Sequence, residues 1–349
     1  MANSTSSGSA LETTLTRNWL RRGPLACALW PLSLVFRALS GVRRALFRAG
    51  WLASSRLPVP VVVVGNIYIG GTGKTPLTIW LVQALQAAGM RPGVISRGHG
   101  SAAAHVREVG ADATAAEVGD EPLLIRQRTG CPVMVGRDRA ASGRALLAAY
   151  PDTDVLITDD GLQHYALQRD VEILLFDGRG AGNGWLLPAG PLREPVSRRR
   201  DFTVINAPQL SEALVRAVGG QQAPVQMMLA GDHAEQLADR SRRQPLAAFR
   251  QPGLRLAAAA GIGNPARFFG MLKAAGLELA ELPLPDHHDF RNRPFDALQA
   301  DVILITEKDA VKCAHIEELR DDPRLWVVPV TARIDSALAD QIVEKCRGR

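Results

Sequence analysis

No run of apolar residues in this chain is long enough to read as a membrane-spanning helix. The best candidate is the fourteen uncharged residues between Arg22 and Arg37. It falls short of the roughly 20 that a bilayer needs, and Pro24 and Pro31 interrupt it. Arginines follow this stretch and no small-residue cleavage site does, so it is not a secretory signal. Leu25-Ala26-Cys27 is a partial lipoprotein box without the preceding apolar run, and is discounted. Cysteine is scarce as well. Cys27, Cys131, Cys313 and Cys346 show no C-x-x-C spacing, which excludes a zinc finger and a disulfide framework and suits a reducing cytoplasm.

Lysine is missing from residues 1–56, although this segment holds all the excess positive charge. It carries eight arginines (17, 21, 22, 37, 43, 44, 48 and 56) against one acid, Glu12. The remainder holds 33 basic and 34 acidic side chains. Trp19, Trp30 and Trp51 fall in the same segment. An apolar stretch flanked by arginines and tryptophans suits a helix lying in the headgroup region of an anionic membrane. A helix packed on the protein's own core, with its arginines in solvent, is the blander reading. Nucleic acid is not indicated, because the charge is confined to one segment and accompanies no binding motif.

The apolar run Val59 to Val64 leads into Gly65-Asn66-Ile67-Tyr68-Ile69-Gly70-Gly71-Thr72-Gly73-Lys74-Thr75-Pro76. A buried strand that ends in a glycine-rich turn and reopens as a helix is a phosphate cradle. Glycines let backbone N–H groups close on a phosphate, the helix N-terminus adds positive dipole, and Lys74 supplies a mobile charge. The Thr75 hydroxyl suits Mg²⁺. The pattern departs from the usual P-loop, since Tyr68 stands at the first glycine position. It predicts binding of a nucleoside triphosphate through Gly70, Gly71, Thr72, Gly73, Lys74 and Thr75. Partitioning ATPases share the Gly-Gly-x-Gly-Lys-Thr ending but carry a second lysine where this chain has Ile69.

With 349 residues, 46% of them hydrophobic, the chain can fill two lobes. Residues 1–10 read as a disordered tail. Expected strands are Val59–Val64, Pro92–Ser96, Pro132–Val135, Val155–Thr158, Val171–Phe176 and Phe202–Asn206. Between them lie expected helices Lys74–Ala88, Glu121–Arg128 and Arg139–Ala149. This alternation predicts a P-loop-type parallel α/β sheet with helices on both faces. Asp120, just before Glu121-Pro122, is positioned like a helix N-cap. The pattern fades between 208 and 252, read as a linker, and a smaller α/β lobe follows over 253–349. Gly261-Ile262-Gly263-Asn264 lacks a third glycine and reads as a plain strand-to-helix turn. The expected division is therefore 1–56 (tail and amphipathic helix), 57–207, 208–252 and 253–349.

Val155 to Thr158 ends in Asp159-Asp160-Gly161, carboxylates at a strand end as NTPases use to hold Mg²⁺. Either aspartate suits the metal. Gln163 and His164 follow closely and suit the same site or the surface. Further clusters stand at expected strand ends, where ligand sites of open α/β sheets gather. They are Ser96-Arg97-Gly98-His99, Gly136-Arg137-Asp138-Arg139, Leu187 to Pro195, Asp286-His287-His288-Asp289 and Thr306-Glu307-Lys308-Asp309.

In this order, with Gly119-Asp120-Glu121-Pro122 and Asp159-Asp160-Gly161-Leu162-Gln163-His164, these motifs closely resemble the tetraacyldisaccharide 4'-kinase (lipid A 4'-kinase) family from about Trp19 to Val330. The resemblance implies transfer of the ATP γ-phosphate to the 4'-hydroxyl of a tetraacyldisaccharide 1-phosphate at the inner face of the bacterial cytoplasmic membrane. It implies a P-loop domain, a smaller α/β lobe and an N-terminal membrane-associating helix. Lys74 and Thr75 would be the P-loop lysine and Mg²⁺ ligand, and Asp159 and Asp160 the Mg²⁺-side acids. Asp120 would be the base toward the sugar hydroxyl, supported by His287. Arg97, His99, Arg137, Gln163, His164, Arg193 and Glu194 would be substrate-binding candidates. His99 departs from the family's Ser-Arg-Gly-Tyr. A membrane-recruited regulatory ATPase without a phosphoryl acceptor is the competing class; Ile69 and the additional acid and histidine motifs argue against it.

Overall fold

The computed structural model describes residues 18–98 and 105–348. Its first element, α1 (Pro24–Arg48), runs for 25 residues with Pro31 inside it. The expected interruption does not occur. An internal proline removes one backbone hydrogen bond, and docking of one helix face offsets that loss. Ser33 donates to Leu186 O at 2.8 Å, Phe36 packs against the core, and Arg44 reaches Glu194 at 3.2 Å. The opposite face leaves Leu32, Val35, Leu39 and Val42 in solvent, each more than half exposed. At this length, and with a mean hydropathy of 1.6, α1 meets the length and composition needed to cross a membrane.

Among the described residues, a first sheet has nine strands in the order β15-β8-β7-β6-β1-β5-β2-β4-β3. These are β1 (Val61–Gly65), β2 (Pro92–Ser96), β3 (Arg107–Glu108), β4 (Val133–Val135), β5 (Val155–Asp159), β6 (Val171–Asp177), β7 (Phe202–Asn206), β8 (Val225–Ala230) and β15 (Thr331–Ile334). Only β3 and β15, at the two edges, pair antiparallel. The central strands are buried along their length, which is why they read as unbroken apolar runs. Helix α2 (Lys74–Ala87) buries Leu77, Leu81 and Leu85 completely against this sheet. Each contributes about 1.5–3 kcal/mol. Helix α3 (Ala115–Val118) is a single turn leading into α4 (Asp120–Thr129), and α5 (Arg139–Ala149) follows β4.

A second sheet, in the order β10-β9-β14-β13-β11-β12, contains β9 (His233–Gln236), β10 (Arg243–Pro245), β11 (Leu256–Ala260), β12 (Ala280–Pro283), β13 (Val302–Thr306) and β14 (Leu325–Val328). The stretch expected as a linker is largely structured: 208–252 holds α6 (Glu212–Val218), β8, β9 and β10. The chain then returns, through β15 and the last helix, to the first sheet. The four helices of this part are α7 (Pro265–Ala274), α8 (Glu307–Cys313), α9 (Glu317–Arg320) and α10 (Ala337–Arg347). In α10, Leu338, Ile342, Val343 and Cys346 join the same core cluster as Leu77 and Leu81. Sheet membership therefore divides the chain elsewhere than at 207, 252 and 253. The half-exposed edge strand β15 and its neighbour β8 carry too little apolar pattern to reveal this.

Candidate active site

β1 lies at the centre of the first sheet, between β5 and β6, and the loop leaving its carboxyl end fills the crevice there. Asn66, fully buried, braces that loop from within. Its amide donates to Tyr68 O (2.8 Å), Gly70 O (3.2 Å) and Thr72 Oγ1 (3.1 Å). Gly73 has φ +100°, and a Cβ there would lie 2.6 Å from Asn206 Nδ2, which donates to Thr72 O. Lys74 opens α2 with its Nζ 3.3 Å from Asn66 Oδ1 and 3.8 Å from Asp160 Oδ1. Thr75 is buried beside it.

Two acids stand at the end of the neighbouring β5. Asp159 is buried, accepts from Thr78 Oγ1 at 3.1 Å, and has an Oδ2 without a hydrogen-bond partner. Burial and then the charge of Glu121 push its carboxyl up to about 7, against the pull of Lys74. A buried carboxylate with one unpartnered oxygen, whose burial Lys74 does not offset, fits a divalent cation. Asp160 adopts φ 52° and sits 3.8 Å from both Lys74 Nζ and Arg193 Nη1. Among the described residues no group of three or more His, Cys, Asp or Glu could hold a metal alone. A cation here would share its coordination with a hydroxyl and phosphates, as Mg²⁺ does at nucleotide sites.

Asp120 is the first residue of α4, and Gly119 takes the N-cap position expected for it. Its Oδ1 accepts from the Glu121 N–H at 3.0 Å, and its Oδ2 turns toward the second lobe, where His287 Nδ1 lies 3.0 Å away. Burial opposes ionisation of Asp120. The His287 bond and Lys308 outweigh it and hold the carboxyl at about 2. The same bond raises the pKa of His287. His287 has φ 59°, an uncommon conformation for a non-glycine residue, fixed here by its N–H donating to Gly261 O at 3.2 Å.

A cleft of about 1310 Å³ runs between the lobes. Gly70 to Thr75, Asp159, Asp160, Arg97, Arg137, Gln163, His164, Arg193 and His287 all line it. The structure thus brings together most of the expected residues. Asp120 is buried behind the cleft wall and meets it through His287. Glu194 does not join the others. It is buried, and its carboxylate is consumed by Arg198 (2.6 and 2.7 Å), Arg44, Tyr165 and Gln163. His99 lies outside the described residues.

The sequence reading missed several partners. Gly263 of the supposed plain turn packs on Gly71, and a Cβ on Gly263 would lie 2.8 Å from Gly71 N. Arg267 from α7 donates to Thr72 O (3.3 Å) and pairs with Asp177 at 2.9 Å. Asn66 and Asn206 were visible only as polar residues next to apolar strands. Arg128 binds Glu307 at 2.6 Å across the lobes, a pairing with no local signal.

A glycine-rich loop and helix-opening lysine after the central strand, with acids on the adjacent strand and a second lobe over the cleft, define a two-lobed P-loop-type α/β enzyme. The tetraacyldisaccharide-1-P 4'-kinase family model matches residues 25–347, and the chain belongs to that family. It is 61% identical to a tetraacyldisaccharide 4'-kinase of Janthinobacterium sp. (strain Marseille), over 98% of both chains. It is 60% identical to the protein so named from Herminiimonas arsenicoxydans, over 97% of both. Among solved structures, LpxK from Aquifex aeolicus in complex with ATP matches with a TM-score of 0.73 and 27% identity, covering 92% of this chain and 99% of that one.

Proposed function

We propose that the protein transfers the γ-phosphate of ATP to the 4'-hydroxyl of a tetraacyldisaccharide 1-phosphate, a lipid A precursor, at the cytoplasmic face of the bacterial inner membrane. The observation that carries this reading is the bond between Asp120 of one lobe and His287 of the other, with His287 lining the cleft that holds the glycine loop and Asp120 buried behind it. A regulatory ATPase has no need of such a pair.

In this mechanism Gly70 to Gly73 cradle the β- and γ-phosphates and Lys74 stabilises charge that develops between them. Thr75, Asp159 and Asp160 would hold Mg²⁺, which when bound neutralises the phosphate oxygens. The unpartnered, buried Asp159 oxygen is the feature that fits it. The sugar hydroxyl oxygen forms its bond to the γ-phosphorus as the bond to the β–γ bridging oxygen breaks, and ADP leaves. The hydroxyl proton passes to the Asp120–His287 pair. Asp120 alone, held at about 2, is a weak base, so His287 is needed to orient it and take the proton onward. Arg97, Arg137, Arg193, Gln163 and His164 would orient the acceptor. Helix α1 would seat on an anionic membrane through its exposed apolar stripe and arginines.

The test is γ-phosphate transfer from labelled ATP to a purified lipid A precursor. ATP turnover that depends on the glycolipid is expected. Equal turnover without it would leave the regulatory ATPase as the better reading.

A further inference from the structure

Opposite Asp120, helix α8 presents two lysines one turn apart, Lys308 and Lys312. Lys308 Nζ lies 2.9 Å from Glu121 Oε1, 3.5 Å from Asp286 Oδ1 and 3.9 Å from Asp120 Oδ2. Lys312 Nζ lies 3.5 Å from Asp120 Oδ2 and 3.7 Å from Asp309 Oδ1, and sits over the Phe290 ring. Both lysine side chains are largely buried. The groups around His287 are therefore Asp120 and Glu121 from α4, Asp286 from its own loop, and Lys308 and Lys312 from α8, with Asp309 behind Lys312. His288 is turned back on its loop, accepting from the Phe290 N–H at 3.0 Å.

Without the lysines this is a nest of carboxylates, and carboxylates favour the imidazolium form of His287. An imidazolium paired with Asp120 has no place for a further proton. We propose that Lys308 is a positioning residue that keeps the Asp120–His287 pair ready to accept the hydroxyl proton at neutral pH. It does so by fixing a buried positive charge among Asp120, Glu121 and Asp286. This rests on the reading of the pair as the base. The His287 pKa is raised overall, led by the Asp120 bond, and burial and then the Lys308 charge oppose that rise. Lys308 itself is held firmly charged, since its carboxylate partners outweigh the cost of burial.

The experiment measures kcat/KM for the glycolipid against pH in the full chain, for wild type, Lys308→Met and Lys308→Arg, with a thermal melt of each. Lys308→Met should move the acid limb up by about one pH unit or more, and Lys308→Arg should restore it. A loss equal at every pH, or an unmoved limb, overturns the proposal. If Lys308→Met fails to fold, Asp286→Asn decides, because removing a negative charge beside His287 should move the limb down; an unmoved limb again overturns it. Asp120→Ala separates the two claims. Near-normal kcat in that variant refutes the base itself. A large loss there, with an unmoved limb in Lys308→Met, refutes only the role of Lys308.

Discussion

Replacing Glu194 with alanine separates a substrate contact from a structural one. The carboxylate is buried, and it accepts from Arg198, Arg44, Tyr165 and Gln163 at once. Removing one partner of a buried ion pair costs about 3–5 kcal/mol. Arg198 keeps a second carboxylate, Glu172, at 2.6 Å, so the low end of that range applies. For a chain of 349 residues, about 3 kcal/mol corresponds to a fall in melting temperature of roughly 4 °C. Arg44→Ala removes only the more exposed end of the same network and should cost about 0.5–1 kcal/mol. The assay is thermal unfolding of both variants by circular dichroism, with KM for the glycolipid measured well below the transition. A Glu194→Ala protein that melts within about 1 °C of wild type but has lost acceptor affinity would refute this reasoning. It would return Glu194 to the substrate site.

Lys74→Ala should leave the fold intact and reduce phosphoryl transfer by at least about 100-fold; near-wild-type turnover would contradict the phosphate-loop reading. Gly73→Ala forces a side chain at φ +100° and against Asn206, so it should lower both stability, by about 1–3 kcal/mol, and ATP affinity, read by melting and nucleotide titration. Changing Leu32, Val35, Leu39 and Val42 of α1 to serine should weaken vesicle flotation and leave the melting temperature nearly unchanged, because all four are exposed. Unchanged flotation would show that this stripe does not meet the membrane.

The buried parallel strands were legible because most side chains on them are apolar: β2 and β7 have the bounds expected from their patterns. The glycine loop was legible because its backbone geometry demands particular residues at particular spacing. Long-range pairing was not. Nothing near Glu194 announces Arg44, 150 positions away, and nothing near Asp120 announces Lys308 or Lys312. The Asp286-His287-His288-Asp289 cluster stood out at an expected strand end, but the pairing of His287 with Asp120 came only through family resemblance, since a histidine in a polar loop carries no signal of the lobe it faces. Pro31 misled for a physical reason: the lost hydrogen bond is local, whereas the docking contacts that offset it come from residues 186–194.

The bond that joins the lobes and the base that serves the reaction respond to pH in opposite senses. His287 has its pKa raised in the folded protein, with the Asp120 bond as the largest cause. The stability it contributes is therefore fully present below the unfolded value of 6.5, and is lost as pH rises through the folded value. Asp120 is lowered from 3.8 to about 2, so its contribution is present above the former and lost as pH falls through the latter. Together they hold the lobes best between about pH 4 and 6.5. His287 is only partly buried, and solvent screening reduces the bond's contribution to about 1 kcal/mol. His287→Ala should accordingly cost more stability near pH 5.5 than near pH 9, read as urea midpoints of the full chain against wild type. Proton acceptance requires the opposite state, a neutral imidazole, so turnover should rise over the range in which this tie weakens. A stability cost equal at both pH values, or larger at the alkaline one, would mean that His287 and Asp120 do not share a proton-dependent bond across the cleft.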